Sequence, residues 1–238
     1  MNLRDKTVLI TGAAVRIGRG LAEALAGEGC HLAIHCNHSI AAARALARQL
    51  QDNGCRAVVI KCDLLKPRAS EILIKRAFQA LGGLDILINN AAVFSKEPLA
   101  TSTEKQIRET LELNLMAPIM LTRAFAKIAK KGRIINILDQ RIAGVEAGLA
   151  AYLLSKKALA DFTKIAAREL APDIAVNAVA PGPVLPPENI REKAGKIPLN
   201  RRPTMADLAE AVTFLLKSDA ITGQIIFVDG GQHLTGQQ

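Results

Sequence analysis

Tyr152 is the only tyrosine in the chain, and Lys156 follows it four residues later. Four residues at about 1.5 Å each make one helical turn, so the two side chains share a face. A phenol of pKa ~10 beside a fixed ammonium ionises more readily, typically by ~1–3 units, which predicts Tyr152 as a proton donor. Both lie in Ile134–Lys156, IINILDQRIAGVEAGLAAYLLSK: an apolar strand, an acid at Asp139, a glycine-punctuated loop, then a helix. A tyrosine and lysine on a helix surface are common, so the rest of the chain has to supply the site.

A second group of residues suits an anion. Thr7–Ile10 is a short β-branched run that ends in TGAAVRIGRG, with Gly12, Gly18 and Gly20 around Arg16 and Ile17. Glycine lets a backbone turn tightly and approach a pyrophosphate at a helix N-terminus, where free N–H groups and the helix dipole favour negative charge. The pattern is neither GxGxxG nor GxxxxGK, so it is a nucleotide-binding signal of moderate specificity. The next strand ends in His35-Cys36-Asn37-His38-Ser39, where an NAD site usually carries an acid for the ribose 2′-hydroxyl. No carboxylate stands there. Donors at His38 and Ser39 with the Arg16 guanidinium suit a 2′-phosphate, so NADPH/NADP+ is expected rather than NAD.

The elements that must position these groups alternate. Strands are expected at Thr7–Ile10, His31–His35, Arg56–Cys62, Asp85–Ile88, Arg133–Leu138, Ile174–Val179 and Ile225–Val228. Helices are expected at Leu21–Glu28, Ile40–Asp52, Ala69–Leu81, Thr103–Ala129, Leu149–Ala171 and Met205–Lys217, with Pro118 inside or kinking the fourth. Strands alternating with long helices predict an α/β fold, a parallel sheet wrapped on both faces. Residues Pro181–Pro203 hold six of the ten prolines, and a loop this long reads as a substrate lid, over about 182–204.

Composition agrees. Half of the 238 residues are hydrophobic and only 3% aromatic, a core of Ala, Leu, Ile and Val suited to helices on buried parallel strands. The net charge of +9 is spread along the chain without interleaved aromatics, so nucleic-acid binding is not required. Cys30, Cys36, Cys55 and Cys62 form no CxxC and no metal-ligand spacing, so no metal site is expected and reduced cytosolic thiols are. Met1 leads straight into a strand with no signal peptide, and no apolar run approaches ~20 residues. A cytoplasmic, membrane-free location is the expectation.

TG-x5-G-x-G, Asn89-Asn90-Ala91, Asn114, Tyr152-x3-Lys156 and Pro181-Gly182 occur in the order and spacing of the short-chain dehydrogenases/reductases, which the chain resembles over nearly its whole length. The resemblance implies a single Rossmann domain over residues 1–238, with a doubly wound seven-stranded parallel sheet and a nicotinamide cofactor. Tyr152 would donate the proton, Lys156 would lower its pKa and hold the nicotinamide ribose, and Asn114 would support a water-linked relay to Lys156. Gly12, Arg16, Ile17, Gly18, His38, Ser39, Asp63, Leu64, Asn90, Ala91, Pro181 and Gly182 would line the cofactor site. A homotetramer through the two long helices is the family's frequent assembly.

Two departures narrow the resemblance. The family's usual glycine at position 16 is Arg16, and its usual catalytic serine falls at Asp139. With Phe94 after Asn89-Asn90, both look like the pteridine reductases, including bacterial dihydromonapterin and dihydrofolate reductases of this fold. There Asp139 and Tyr152 would be the catalytic pair and Phe94 would stack on the pterin or folate. An ionised carboxylate cannot donate to a developing alkoxide; at ~4 Å and an effective dielectric near 20, like charges cost roughly 4 kcal/mol, about a thousandfold in rate. A pterin C=N places its charge on a nitrogen that is protonated, and its N–H edge supplies donors to a carboxylate. The alternative is that Asp139 points away, or is protonated and donates like serine. The competing activities are a 3-oxoacyl-carrier-protein reductase on the same scaffold and a non-catalytic NADP sensor.

Overall fold

The computed structural model describes residues 1–185 and 196–235. Seven strands make one parallel sheet: β1 (Thr7–Ile10), β2 (His31–Cys36), β3 (Ala57–Lys61), β4 (Ile86–Asn89), β5 (Gly132–Ile137), β6 (Ile174–Pro181) and β7 (Ile225–Val228). Each lies within about two residues of its expected bounds. Their order is β3-β2-β1-β4-β5-β6-β7, so the chain winds outward to β3 and then crosses back to place β4 beside β1. That reversal opens a crevice at the carboxyl ends of β1 and β4, where ligands bind in open α/β sheets.

The helices are α1 (Arg16–Gly27), α2 (Ile40–Asp52), α3 (Ala69–Leu81), α4 (Glu104–Leu111), α5 (Ala117–Ile128), α6 (Ala150–Leu170) and α7 (Met205–Lys217). Successive strand residues point to opposite faces, and both faces are covered. Val8 and Ile10 pack with Leu21 of α1, Leu46 of α2 and Leu208 of α7, whereas Leu9 between them packs with Leu73 of α3 and Phe125 of α5. Burial on both faces explains why the strands read as continuous apolar runs. The doubly wound seven-stranded α/β Rossmann architecture is the one expected.

Two helices differ from expectation. The first begins at Arg16 rather than Leu21, because the second half of the glycine loop is itself the opening helical turn. The long helix expected over Thr103–Ala129 is interrupted: one π-helical turn, Glu112–Met116, separates α4 from α5. Pro118, at the second position of α5, has no N–H for the carbonyl four residues back, that of Asn114. The widened turn lies directly ahead of that proline, and π-bulges of this kind recur at functional sites. At its other end α4 is closed by a capping box between Thr103 and Gln106.

Residues 186–195, the centre of the expected substrate loop, lie outside the described residues, as do 236–238. Ahead of them, His233 is held in place. The His233 backbone N–H donates to Asp229 Oδ2 at 2.7 Å, and its ring stacks on Phe227 at 4.1 Å. Among the described residues no helix is long and apolar enough to cross a membrane.

Candidate active site

A cleft of about 540 Å³ occupies the crevice over β1 and β4. Gly12, Arg16, Ile17 and Gly18 line it from the glycine loop, His38 and Ser39 from the end of β2, Asp63 and Leu64 from the end of β3, and Asn90 and Ala91 from the end of β4. Gly12 has φ 62°, the left-handed region. A Cβ on Gly18 would collide with the Gly12 carbonyl oxygen and lie 2.6 Å from Asn90 Nδ2, so the turn closes only around a bare backbone. Arg16 also has a positive φ, 52°. A side chain in that conformation costs roughly 1–2 kcal/mol where glycine costs little, so a site that keeps arginine there is trading backbone ease for a guanidinium at the cleft.

The loop is pinned from both sides. The Gly12 N–H donates to His35 Nδ1 at 3.1 Å, and His35 Nε2 lies 3.0 Å from the Cys62 carbonyl. Because a backbone N–H can only donate, Nδ1 accepts and Nε2 carries the proton, which fixes a neutral tautomer. Burial pushes the His35 pKa down, the same direction. His35 therefore ties the ends of β1, β2 and β3 together under the cleft. From β4, Asn90 Nδ2 donates to the Thr11 and Gly12 carbonyls at 2.8 and 3.1 Å, and Thr11 Oγ1 accepts the Asn90 and Ala91 N–H groups at 2.9 Å each.

The other half of the cleft carries Phe94, Tyr152 and Lys156. Asp139 follows the end of β5 and opens a short 3-10 turn, Gln140–Ala143, whose Arg141 N–H its Oδ1 accepts at 2.8 Å. The Tyr152 hydroxyl donates to Asp139 Oδ2 at 2.8 Å, and Arg141 Nη1 reaches the same oxygen at 3.3 Å. Phe94 meets Tyr152 edge-on, with ring centroids 4.9 Å apart. Lys156 Nζ donates to the Ile137 carbonyl at 2.7 Å.

These contacts reverse one expectation. Burial first, then the Asp139 carboxylate, hold the Tyr152 phenol well above its usual range; Arg141 opposes them. The proximity of Lys156 does not lower it. Lys156 itself yields: burial brings its pKa from 10.5 down to about 8, with Asp139 pulling the other way. One turn of helix brings the two side chains to one face, as expected, but burial and the acid just beyond the end of β5 hold the phenol's proton.

Asn114 lies in the π-helical turn, 1% exposed, behind the cleft rather than in its wall. Its Oδ1 accepts the Val93 N–H and its Nδ2 donates to the Val93 carbonyl, both at 2.9 Å, with Ser155 Oγ at 3.3 Å. The side chain thus holds the backbone immediately before Phe94. Pro181 and Gly182, at the end of β6, are not part of the cleft wall; the Gly182 N–H pairs with the Val228 carbonyl at 2.9 Å. Among the described residues no cluster of His, Cys, Asp or Glu could hold a metal.

Some participants had no advance signal. Val15, Leu65, Val93, Leu113 and Leu138 supply wall by position alone. Arg141 could have been found, because an Asp that accepts the N–H two residues on is a recurrent turn that places residue 141 beside the acid.

A family model described as enoyl-(acyl carrier protein) reductase matches residues 12–233. Galactitol 2-dehydrogenase of Agrobacterium fabrum is 32% identical over 260 residues, spanning 99% of this chain and 100% of the relative. The 3-oxoacyl-(acyl-carrier-protein) reductase FabG of Staphylococcus epidermidis is 31% identical over 249 residues, spanning 97% and 100%. Among solved structures, FolM alternative dihydrofolate reductase 1 from Brucella canis, complexed with NADP, superposes with a TM-score of 0.93 at 35% identity, covering 100% of this chain and 97% of that one. These relatives are named for different activities yet match this chain along nearly its full length, and the family model covers residues 12–233: this chain belongs to the short-chain dehydrogenase/reductase family.

Proposed function

We propose that this protein is an NADPH-dependent pterin reductase, taking a dihydropterin or dihydrofolate to its tetrahydro form. The observation that carries the reading is the 2.8 Å bond from the Tyr152 hydroxyl to the Asp139 carboxylate, beside a half-exposed Phe94 ring. A carboxylate at the reacting centre favours substrates with N–H and amino groups to donate. The Phe94 ring offers a flat heterocycle a stacking surface.

The chain's residues fit the cofactor. Gly12 and Gly18 leave the space a pyrophosphate needs at the N-terminus of α1, and Arg16, His38 and Ser39 would hold a 2′-phosphate. Asp63, Leu64, Asn90 and Ala91 would flank the adenine and its ribose, and Ile17 the phosphates. When bound, the nicotinamide supplies a hydride. Tyr152 holds the proton for the imine nitrogen. In this structure that proton points at Asp139 Oδ2, so a substrate N–H that donates to the carboxylate takes over the contact and frees the hydroxyl to turn. Lys156 has two further N–H groups beyond the one on Ile137, enough for the cofactor's ribose and the phenolate left after transfer. The Asn114 carbonyl, which lacks a Pro118 donor, would receive the water that links it to Lys156.

Carbonyl reduction is the second reading, favoured by the 31% identical FabG and opposed by Asp139, which faces a developing alkoxide with like charge. The homotetramer rests on apolar side chains left open on the helices meant to pair: Leu154 and Ile165 on α6 and Met116 before α5. The test follows NADPH oxidation with dihydrobiopterin, dihydrofolate and, separately, acetoacetyl thioester, then repeats it with NADH. Pterin turnover preferring NADPH is expected. Thioester turnover alone supports carbonyl reduction, and equal efficiency with NADH removes the 2′-phosphate argument.

A further inference from the structure

Arg141 transfers neither proton nor hydride in the steps above, yet it meets both Asp139 and Phe94. Its backbone N–H and Nη1 reach the two oxygens of Asp139, at 2.8 and 3.3 Å. Its guanidinium carbon lies 5.5 Å from the centroid of Phe94, on the ring's face. Its Nε donates to Glu146 Oε2 at 3.0 Å, and Glu146 is bridged in turn to Lys96 at 3.5 Å. A planar cation is thereby clamped at one end and presented to an acid and an aromatic ring at the other.

We propose that Arg141 is a positioning and specificity residue, which fixes the Asp139 carboxylate relative to the Phe94 ring and so selects flat heterocycles with a donor edge. This rests on the pterin reading. Phe94 is 52% exposed, and beyond its edge contact with Tyr152 the Arg141 cation is what orients it. With the guanidinium over one face, the half-exposed ring still presents apolar surface to the cleft. The carboxylate offers about four acceptor positions. Tyr152 and Arg141 take three of them, leaving one for a substrate N–H in a fixed direction. Lysine could match the charge but not the planar fork, so the two properties separate by mutation.

The experiment measures steady-state kinetics on dihydrobiopterin with NADPH for the wild type, Arg141→Met and Arg141→Lys. For Arg141→Met the pterin KM is expected to rise about tenfold or more, with the NADPH KM unchanged. The pterin kcat should change much less than the pterin KM, because the reacting groups stay in place. Arg141→Lys should keep the raised KM. A wild-type pterin KM in Arg141→Met overturns the positioning role alone, and so does a wild-type KM in Arg141→Lys. If Arg141→Met does not fold, the KM of Arg141→Lys decides in the same sense. No pterin turnover by the wild type overturns the function and this inference together.

Discussion

Asp139→Ser is expected to lower pterin reduction by roughly a hundredfold or more and to raise reduction of a simple carbonyl by up to about a thousandfold. The serine loses the acceptor that a pterin N–H edge needs and gains a donor for an oxyanion. The magnitude follows from the charge. A carboxylate ~4 Å from a developing alkoxide raises the barrier by roughly 4 kcal/mol at an effective dielectric near 20, and a hydroxyl removes that repulsion. Parallel assays of the variant with dihydrobiopterin and acetoacetyl thioester check the exchange. Loss of both activities would mean Asp139 acts mainly by holding Tyr152, with which it shares a 2.8 Å bond.

Lys156→Met is expected to make the protein more stable while lowering turnover by about a thousandfold. The pKa depression from 10.5 to about 8 corresponds to roughly 3 kcal/mol of burial cost for the ammonium at neutral pH. Methionine removes that cost but leaves the Ile137 carbonyl without its 2.7 Å donor, worth about 1–2 kcal/mol. The net gain is about 1–2 kcal/mol, a rise in Tm of a few degrees. The sign with pH is fixed. Below about pH 8 the folded wild type carries the buried charge and the penalty is complete. Between about 8 and 10.5 the unfolded chain binds the proton and the folded one does not, so wild-type stability rises with pH. The gap between variant and wild type should therefore close across that window and then reverse, since the roughly 3 kcal/mol recovered exceeds it. The raised thiol of Cys30, pushed by burial to about 12, is common to both proteins and cancels in the difference. Denaturant melts at several pH values check it.

The sheet was legible because parallel strands buried on both faces print themselves as runs such as TVLI, and helix lengths between them leave one topology. The π-helical turn at Asn114 was not legible. Pro118 announces a lost hydrogen bond but not whether the helix bends, breaks or widens. At the site, Tyr152 and Lys156 were found from type and spacing and Asp139 and Phe94 from the family resemblance, and the structure brings them into one cleft or its immediate wall. The direction of the tyrosine's pKa was missed, because an i, i+4 lysine is visible in sequence whereas burial and the approach of a carboxylate from the turn after β5 are not. His35 stood in view as a strand-end histidine, but its bond to the Gly12 N–H depends on how β1 and β2 lie side by side.

Burial and Asp139, rather than Lys156, govern the proton on Tyr152, and one property of the chain makes this directly measurable. With one tyrosine and no tryptophan, the near-ultraviolet tyrosinate absorbance of the folded protein reports Tyr152 alone. In pH jumps read before unfolding, the wild type should show no tyrosinate until well above pH 10, and Asp139→Asn should bring its appearance to lower pH. Tyrosinate forming below pH 10 in the wild type, or at the same pH in both proteins, would contradict the account.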